Sequence, residues 1–426
     1  MSTTEENSNN IRHMNTRIVL SYYVANLVGA GLLAIPVVAL EKVGVWSLAV
    51  WGILIACSWP LAIVFSRIAV LFPDSSGLLR FIRELQGIYW SKTIGLLFLI
   101  TFVIGNPIVG MIGARYFQQL FNTDTISIYD LAILIMIGSV VFNLVDLRIS
   151  SQIHSALVYA TLLVVLLALI YSGFSSNYEA IGTVDFTPPK ISDFSSALAI
   201  CFFLYLGWEN VCTISPNVRD PDRTFKKAVL WAVIIVGSIY LFVAIILVTN
   251  LKTGEINGNY ALLDWLLRSG EADYRIVWIA NLAGFFLILF NANVWVLAAS
   301  KLFSSCATQG LVPSYFAKGA ENTPRRALIA LGVIYAVELK LLDYLSRDEF
   351  FLTEFVSIVF IFVYLFVLFT AVFKFPERKT RNYAIVALGL LLAVAGTMLK
   401  MLLTIFVFVV AIYIFFRSTD IKKEKL

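Results

Sequence analysis

Long apolar runs alternate with short charged stretches along this chain. Twelve runs are long enough to cross a bilayer as helices: 16–40, 44–72, 92–121, 127–145, 150–172, 192–215, 226–250, 274–309, 324–344, 349–374, 381–399 and 401–417. A spanning helix needs ~20 apolar residues. In lipid each backbone amide must be bonded within its own segment, so each run is predicted as helix. The apolar-out, polar-in alternation of a membrane barrel is absent. Only Lys400 and its neighbours separate the last two runs, which predicts a tight hairpin.

Composition agrees with this pattern. Of 426 residues, 60% are apolar and 14% charged, against ~25% charged in soluble domains. There is too little polar surface to face water, which excludes soluble enzymes, nucleic-acid binders and disordered scaffolds. Cys57, Cys201, Cys212 and Cys306 lie in or beside apolar runs without a CxxC pair. The histidines are His13 and His154. A disulfide framework, a zinc site or another metal centre is not expected. There is no GxxxxGK[ST] phosphate loop, so the chain would not hydrolyse ATP itself. The segment Met1–Asn15 is polar, contains Glu5 and Glu6, and does not read as a cleavable signal peptide.

The net charge of +5 follows from topology and needs no anionic partner. With the N-terminus inside, the inner segments hold Arg12, Arg17, Arg67, Arg80, Arg83, Lys92, Arg148, Arg219, Arg223, Lys226, Lys227, Lys301, Lys318, Arg325, Arg326, Lys374, Arg378, Lys379 and Arg381. The tail adds Arg417, Lys422, Lys423 and Lys425. The outer segments hold only Lys42, Lys190, Lys252, Arg268, Arg275, Lys340, Arg347 and Lys400. This bias places both termini in the cytoplasm.

Two runs are interrupted alike. The first carries Gly29 and Gly31, then Pro36; the sixth carries Gly207 and Glu209, then Pro216. Both interruptions fall about fourteen residues into their runs, and the two runs open successive groups of five. Matching Gly/Pro interruptions in two halves point to a transporter site, because unwound backbone presents amides and carbonyls to a ligand. The competing reading is that the glycines only permit close helix packing.

These residues resemble the amino acid–polyamine–organocation (APC) transporters. That family's Gly-Ser-Gly-hydrophobic motif, followed by proline, is matched by Gly29, Ala30, Gly31, Leu32 and Pro36. Its first inner loop is matched by Phe72, Pro73, Asp74, Ser75, Ser76 and Gly77, then Phe81, Ile82, Arg83, Glu84 and Gly87. The sixth-span Gly-x-Glu is matched by Gly207, Trp208 and Glu209, and the loop after it by Arg219, Asp220, Pro221, Asp222 and Arg223. The end of the eighth span is matched by Gly310, Leu311, Val312, Pro313 and Phe316. The order and spacing agree over roughly 16–374. Within the family the chain is most similar to the bacterial arginine/agmatine antiporters and the small amino-acid exporters.

The resemblance implies an all-α polytopic membrane protein of twelve transmembrane helices. It implies a LeuT-type five-plus-five inverted repeat with discontinuous first and sixth helices. The repeats would be 16–172 and 192–374, followed by two helices at 381–417, with cytoplasmic tails at 1–15 and 418–426. It implies secondary active transport of an amino acid or related amine by alternating access, in the bacterial inner membrane. No cofactor is expected. The partners would be the substrate, the lipid bilayer and a second copy as a homodimer, with no nucleic acid.

Site residues follow from the same resemblance. Gly29, Ala30 and Gly31 would hold the substrate carboxylate, Ala30 replacing a serine and removing one hydrogen bond. Asn106, in Ile104-Gly105-Asn106, would face the substrate, and Trp295 would stack on it. Phe203 would be the gating aromatic, with Tyr205 as its rival; Gly207 and Trp208 complete the expected set. Several family members coupled to protons carry a lysine in span five. The aligned residue here is about Thr161, so exchange or facilitated export fits better.

Ionisable groups at membrane depth default to functional hypotheses. Glu209 reads either as a proton-linked gating residue or as a structural carboxyl holding the second break. Glu354 would favour a cationic substrate if it lines the pocket, or else sits on a solvated face. Arg115 snorkels to the interface or pairs with Glu354 or an anionic substrate group. Glu338 and Lys340 are expected to be solvated. Asn26, Asn143, Asn281, Asn291 and Asn293 read as helix–helix glue. A membrane-embedded enzyme is disfavoured by having only two histidines, one of them in the tail. A sensor or receptor on a transporter fold, without net transport, is the alternative that stays open.

Overall fold

The structure is a computed structural model. It describes residues 14–73, 77–123, 125–145, 151–175, 186–250, 273–317, 323–347 and 349–424. Met1–His13, including Glu5, Glu6 and Arg12, lie outside the described residues, as do Asp74, Ser75, Ser76, Arg148, Lys252, Arg268, Lys318 and Lys425.

Helix runs through each of the apolar stretches. The first run is split into α1 (Thr16–Leu27), a 3-10 turn (Ala30–Leu33) and α2 (Ile35–Val43). There follow α3 (Ser47–Leu71), α4 (Gly77–Gln86), α5 (Ile88–Phe121), α6 (Ile128–Leu144) and α7 (Ser151–Ser175). The sixth run is α8 (Ile191–Phe202), a turn (Phe203–Tyr205) and a second 3-10 segment (Asn210–Asn217). Then come α9 (Pro221–Asn250), α10 (Tyr274–Thr308), α11 (Arg325–Tyr344), α12 (Glu349–Lys374), α13 (Arg378–Gly396) and α14 (Leu399–Glu424).

Among the described residues, seven stretches are long and apolar enough to cross a membrane, and Ile128–Leu144 and Ala156–Tyr171 are shorter apolar helices. The seven are fewer than the apolar runs for physical reasons. The first break leaves α1 only 12 residues long. Helix α11 carries Arg325, Arg326, Glu338, Lys340 and Asp343, and α13 opens on Arg378, Lys379 and Arg381.

Three boundaries differ from the sequence reading. The first inner loop contains the amphipathic α4, which buries Leu78, Leu79, Phe81 and Ile82 and exposes Arg80, Arg83 and Glu84. Gly87, at φ +96°, supplies the left-handed turn from α4 into α5. The expected tail from 418 instead continues α14 to Glu424, because no glycine or proline stops it. Lys400 lies in the first turn of α14, so Thr397 and Met398 make the hairpin.

The core is set by α5 against α10 and α3 against α9. The chain before α1 is pinned beside the second break: Met14 N–H donates to the Asn217 carbonyl at 3.1 Å, and Arg219 N–H donates to the Met14 carbonyl at 3.1 Å. Asn15 caps α1, its Oδ1 accepting from the amides of Arg17 and Ile18 at 3.0 and 3.2 Å.

Candidate functional site

A helix that stops inside an apolar bundle strands its last carbonyls, and each needs a donor. At the first break the donors are side chains from other helices. Asn291 of α10 donates from Nδ2 to the carbonyls of Ala25 at 2.7 Å and Asn26 at 3.2 Å. Trp295 Nε1 also reaches the Asn26 carbonyl, at 3.3 Å. The Tyr240 hydroxyl of α9 donates to the Leu27 carbonyl. Farther along, Tyr116 Oη donates to the Leu33 carbonyl at 3.2 Å.

The second break is built around Gly207. Its φ of +123° is a backbone state that side-chain-bearing residues rarely adopt. A Cβ there would also sit 3.1 Å from Asn26 Cβ and 3.6 Å from Trp295 Cζ2. Gly207 N–H donates to Glu209 Oε2 at 3.1 Å, and the Tyr364 hydroxyl of α12 donates to the same oxygen. Tyr240 Oη lies 3.4 Å from the Leu204 carbonyl, so one hydroxyl touches both breaks. Asn210 Nδ2 donates to Asn26 Oδ1 at 3.2 Å, a direct link between them.

Where the breaks meet there is a cavity of about 20 Å³, room for roughly one water. Its polar lining is Asn26, Thr101, Asn106 and Asn291, and Gly29, Gly31 and Gly105 bring backbone close. Phe203, Trp295, Phe360 and Val356 supply apolar walls. None of the lining residues carries a charge. In the α5 wall, Pro107 follows Asn106 and offers no N–H to the carbonyl four residues back. Asn106 is held by donating to Tyr335 Oη at 2.7 Å.

The structure thus brings Gly29, Gly31, Asn106, Phe203 and Trp295 to one cavity, with Ala30 between the two glycines and Gly207 against Trp295. Trp208 points elsewhere: it is fully buried and packs on Tyr23, with 5.5 Å between ring centroids. Tyr205 joins Trp51 and Tyr240 in an aromatic cluster, 5.3 Å from Tyr240. Glu354 is not part of the lining; its nearest polar partner is Ser196 Oγ, at 3.5 Å. Glu209 lines a separate cavity of about 40 Å³ with Phe102, Asn210, Thr213 and Leu302. The Phe102 and Trp295 rings, 5.2 Å apart, stand between the two spaces.

Other polar groups fall as follows. Glu338 was expected to be solvated, but its Oε2 is enclosed and has no hydrogen-bond partner among the described residues, since it shares a helix face with buried Tyr335. Lys340 is exposed and pairs with Asp130 at 2.6 Å. Thr161 donates within its own helix, to the Leu157 carbonyl at 2.9 Å. Arg115 is half-buried. Asn143 bonds Ser139 of its own helix at 2.8 Å and reaches Asn293 at 3.4 Å, as helix glue would.

Asn26 and Asn291 are the cavity residues that sequence reasoning assigned to packing. A signal was present: Asn26 precedes Gly29 by three residues, and Asn291 lies one helical turn before Trp295 on the same face.

Tyr364→Phe tests how the second break is held. It leaves Glu209 Oε2 with the Gly207 amide alone. Losing a bond to a buried carboxyl should lower stability by roughly 1–3 kcal/mol. Thermal melting of the purified variant checks this, and an unchanged melting temperature would count against the bond.

A cavity walled by two interrupted helices inside so apolar a bundle belongs to a membrane transporter of small molecules. Residues 17–422 match the family model described as amino acid permease. The chain belongs to that family: it is a multi-pass amino acid transporter of the APC superfamily and not an enzyme.

Among curated relatives, it is 24% identical over 380 residues to the L-methionine/branched-chain amino acid exporter YjeH of Escherichia coli, covering 87% of this chain and 88% of that one. It is 20% identical over 393 residues to the serine/threonine exchanger SteT of Bacillus subtilis, covering 89% and 87%. Among solved structures, MhsT in complex with L-phenylalanine matches with a TM-score of 0.67 at 15% identity, covering 91% of this chain and 99% of that one. That likeness establishes a shared LeuT-type fold.

Proposed function

We propose that this chain is a secondary active transporter of neutral amino acids with apolar side chains, working by alternating access around the cavity between the two breaks. The observation that carries this reading is the lining: backbone, asparagines and aromatics, with no ionisable side chain. The amides at Gly29, Ala30 and Gly31 open a 3-10 turn that has no side-chain cap. Such a helix start favours a carboxylate. The carbonyls around Phe203–Leu206, at the end of α8, suit an α-ammonium group. The space as it stands holds about one water, so the two broken helices must part to admit substrate, and Phe203, Trp295, Val356 and Phe360 would then receive an apolar side chain.

A cationic side chain would find no carboxylate in this space, because Glu354 and Glu209 both lie outside the lining. The named substrates of the relatives, methionine, branched-chain amino acids, serine and threonine, are all neutral. In this reading the chain crosses the bacterial inner membrane twelve times, both termini are cytoplasmic, and the breaks lie near the bilayer midplane.

Trp295→Leu is the direct test of the site. It deletes an aromatic wall and the donor to the Asn26 carbonyl. The apparent affinity for an apolar amino acid in proteoliposome counterflow should fall about tenfold, as losing ~1.4 kcal/mol does. A folded variant that binds as tightly as the wild type would remove Trp295 from the site.

A further inference from the structure

Away from the transport cavity, a groove of about 450 Å³ opens between α3, α9 and α13, a size that accommodates an organic ligand. Its floor is apolar: Trp59, Ile63, Val70, Phe225, Val229 and Leu230. Its rim is charged. Arg67 bridges Asp222 and Glu377, the two carboxylates that line the groove. Lys226 and Lys379 are exposed at the same rim, and among the described residues neither pairs with a carboxylate. Helices α9 and α13 both begin here, at Pro221 and Arg378, so the positive ends of two helix dipoles add to the lysines.

The floor also leads somewhere. Leu230 is 40% exposed, and Ile234, Leu241 and Ile245 continue it along one face of α9 as an exposed apolar stripe. In a membrane protein such a stripe faces acyl chains. A soluble anion would use the rim and leave the floor unfilled. A neutral lipid would use the floor and leave the lysines unpaired.

We propose that this groove is a binding site for an anionic glycerophospholipid of the leaflet that meets the basic ends of α9 and α13. The phosphate sits between Lys226 and Lys379, and an acyl chain runs over Val229 and Leu230 toward Trp59. The Arg67 bridge ties α3 to α9 and α13, so an occupied groove braces three helices at that end. Juxtamembrane lysines attract anionic lipid in this way.

The test uses the full chain purified in detergent, with thermal melting read after adding phosphatidylglycerol, phosphatidylcholine or inorganic phosphate. Wild type should melt several degrees higher with phosphatidylglycerol than with phosphatidylcholine, and phosphate should reproduce little of the difference. The Lys226→Ala/Lys379→Ala variant should lose at least half of it. Val229→Trp, which fills the floor and keeps both lysines, should also lose it. Lys42→Ala/Lys400→Ala, exposed lysines elsewhere, should retain it. Equal melting in the two lipids, full retention by the rim or floor variant, or an equal shift with phosphate alone would overturn the proposal.

Discussion

Gly29→Ala should reduce transport at least ~100-fold and lower the melting temperature. A Cβ at this position would lie 2.2 Å from Asn291 Cγ, 2.4 Å from its Nδ2 and 2.6 Å from its Cβ. Those distances are well inside van der Waals contact, so Asn291 must leave. When it goes, the Ala25 carbonyl loses its 2.7 Å donor and the Asn26 carbonyl loses one of two. A buried polar group left without its partner costs ~1–3 kcal/mol. The site itself is deformed as well, since Gly29 and Asn291 both line the cavity. Counterflow and thermal melting together check this. Gly389→Ala is the control: nothing lies within 4 Å of its would-be Cβ, so both readings should stay at wild-type values.

Asn291→Leu separates the hydrogen bond from the space. Leucine keeps the branching and the number of heavy atoms and removes the donor. Polar contacts between membrane helices average ~0.6 kcal/mol. The cost here should be larger, ~1–3 kcal/mol, because the Ala25 carbonyl sits where α1 ends and has no helical donor to fall back on. Transport should drop more than about tenfold. Asn143→Leu should cost little, since Asn143 bonds a carbonyl of its own helix that already has a helical partner. Equal effects from the two variants would mean that Asn291 is ordinary helix glue.

The helices and both breaks were legible because lipid imposes simple rules. Apolar runs must be helical, and a glycine pair or a Gly-x-Glu in such a run is conspicuous against so few polar residues. Gly29, Gly31, Asn106, Phe203 and Trp295 were found from the breaks and the family motifs around them. Asn26 and Asn291 were legible as buried but not as cavity residues, because their role depends on which helix ends face them.

Trp208 and Glu354 lie outside the cavity lining. Trp208 follows Gly207, which packs on Trp295, and Glu354 precedes Val356 of the lining by two residues, yet a shift of one or two positions along the chain turns a side chain to another face. Tyr364 had no sequence signal at all. Its bond to Glu209 joins two segments 155 residues apart and exists only once α12 packs beside the second break.

The uncharged cavity between the two breaks should select a neutral, apolar amino acid. Counterflow of radiolabelled substrates into proteoliposomes holding the wild-type chain tests it most directly. Methionine or leucine should exchange at least ~10-fold better than arginine, agmatine or glutamate, given the ~2.5–3.5 kcal/mol that a charge at membrane depth costs. Exchange of arginine or agmatine as efficient as that of methionine, or no amino acid exchange under any gradient, would contradict the account.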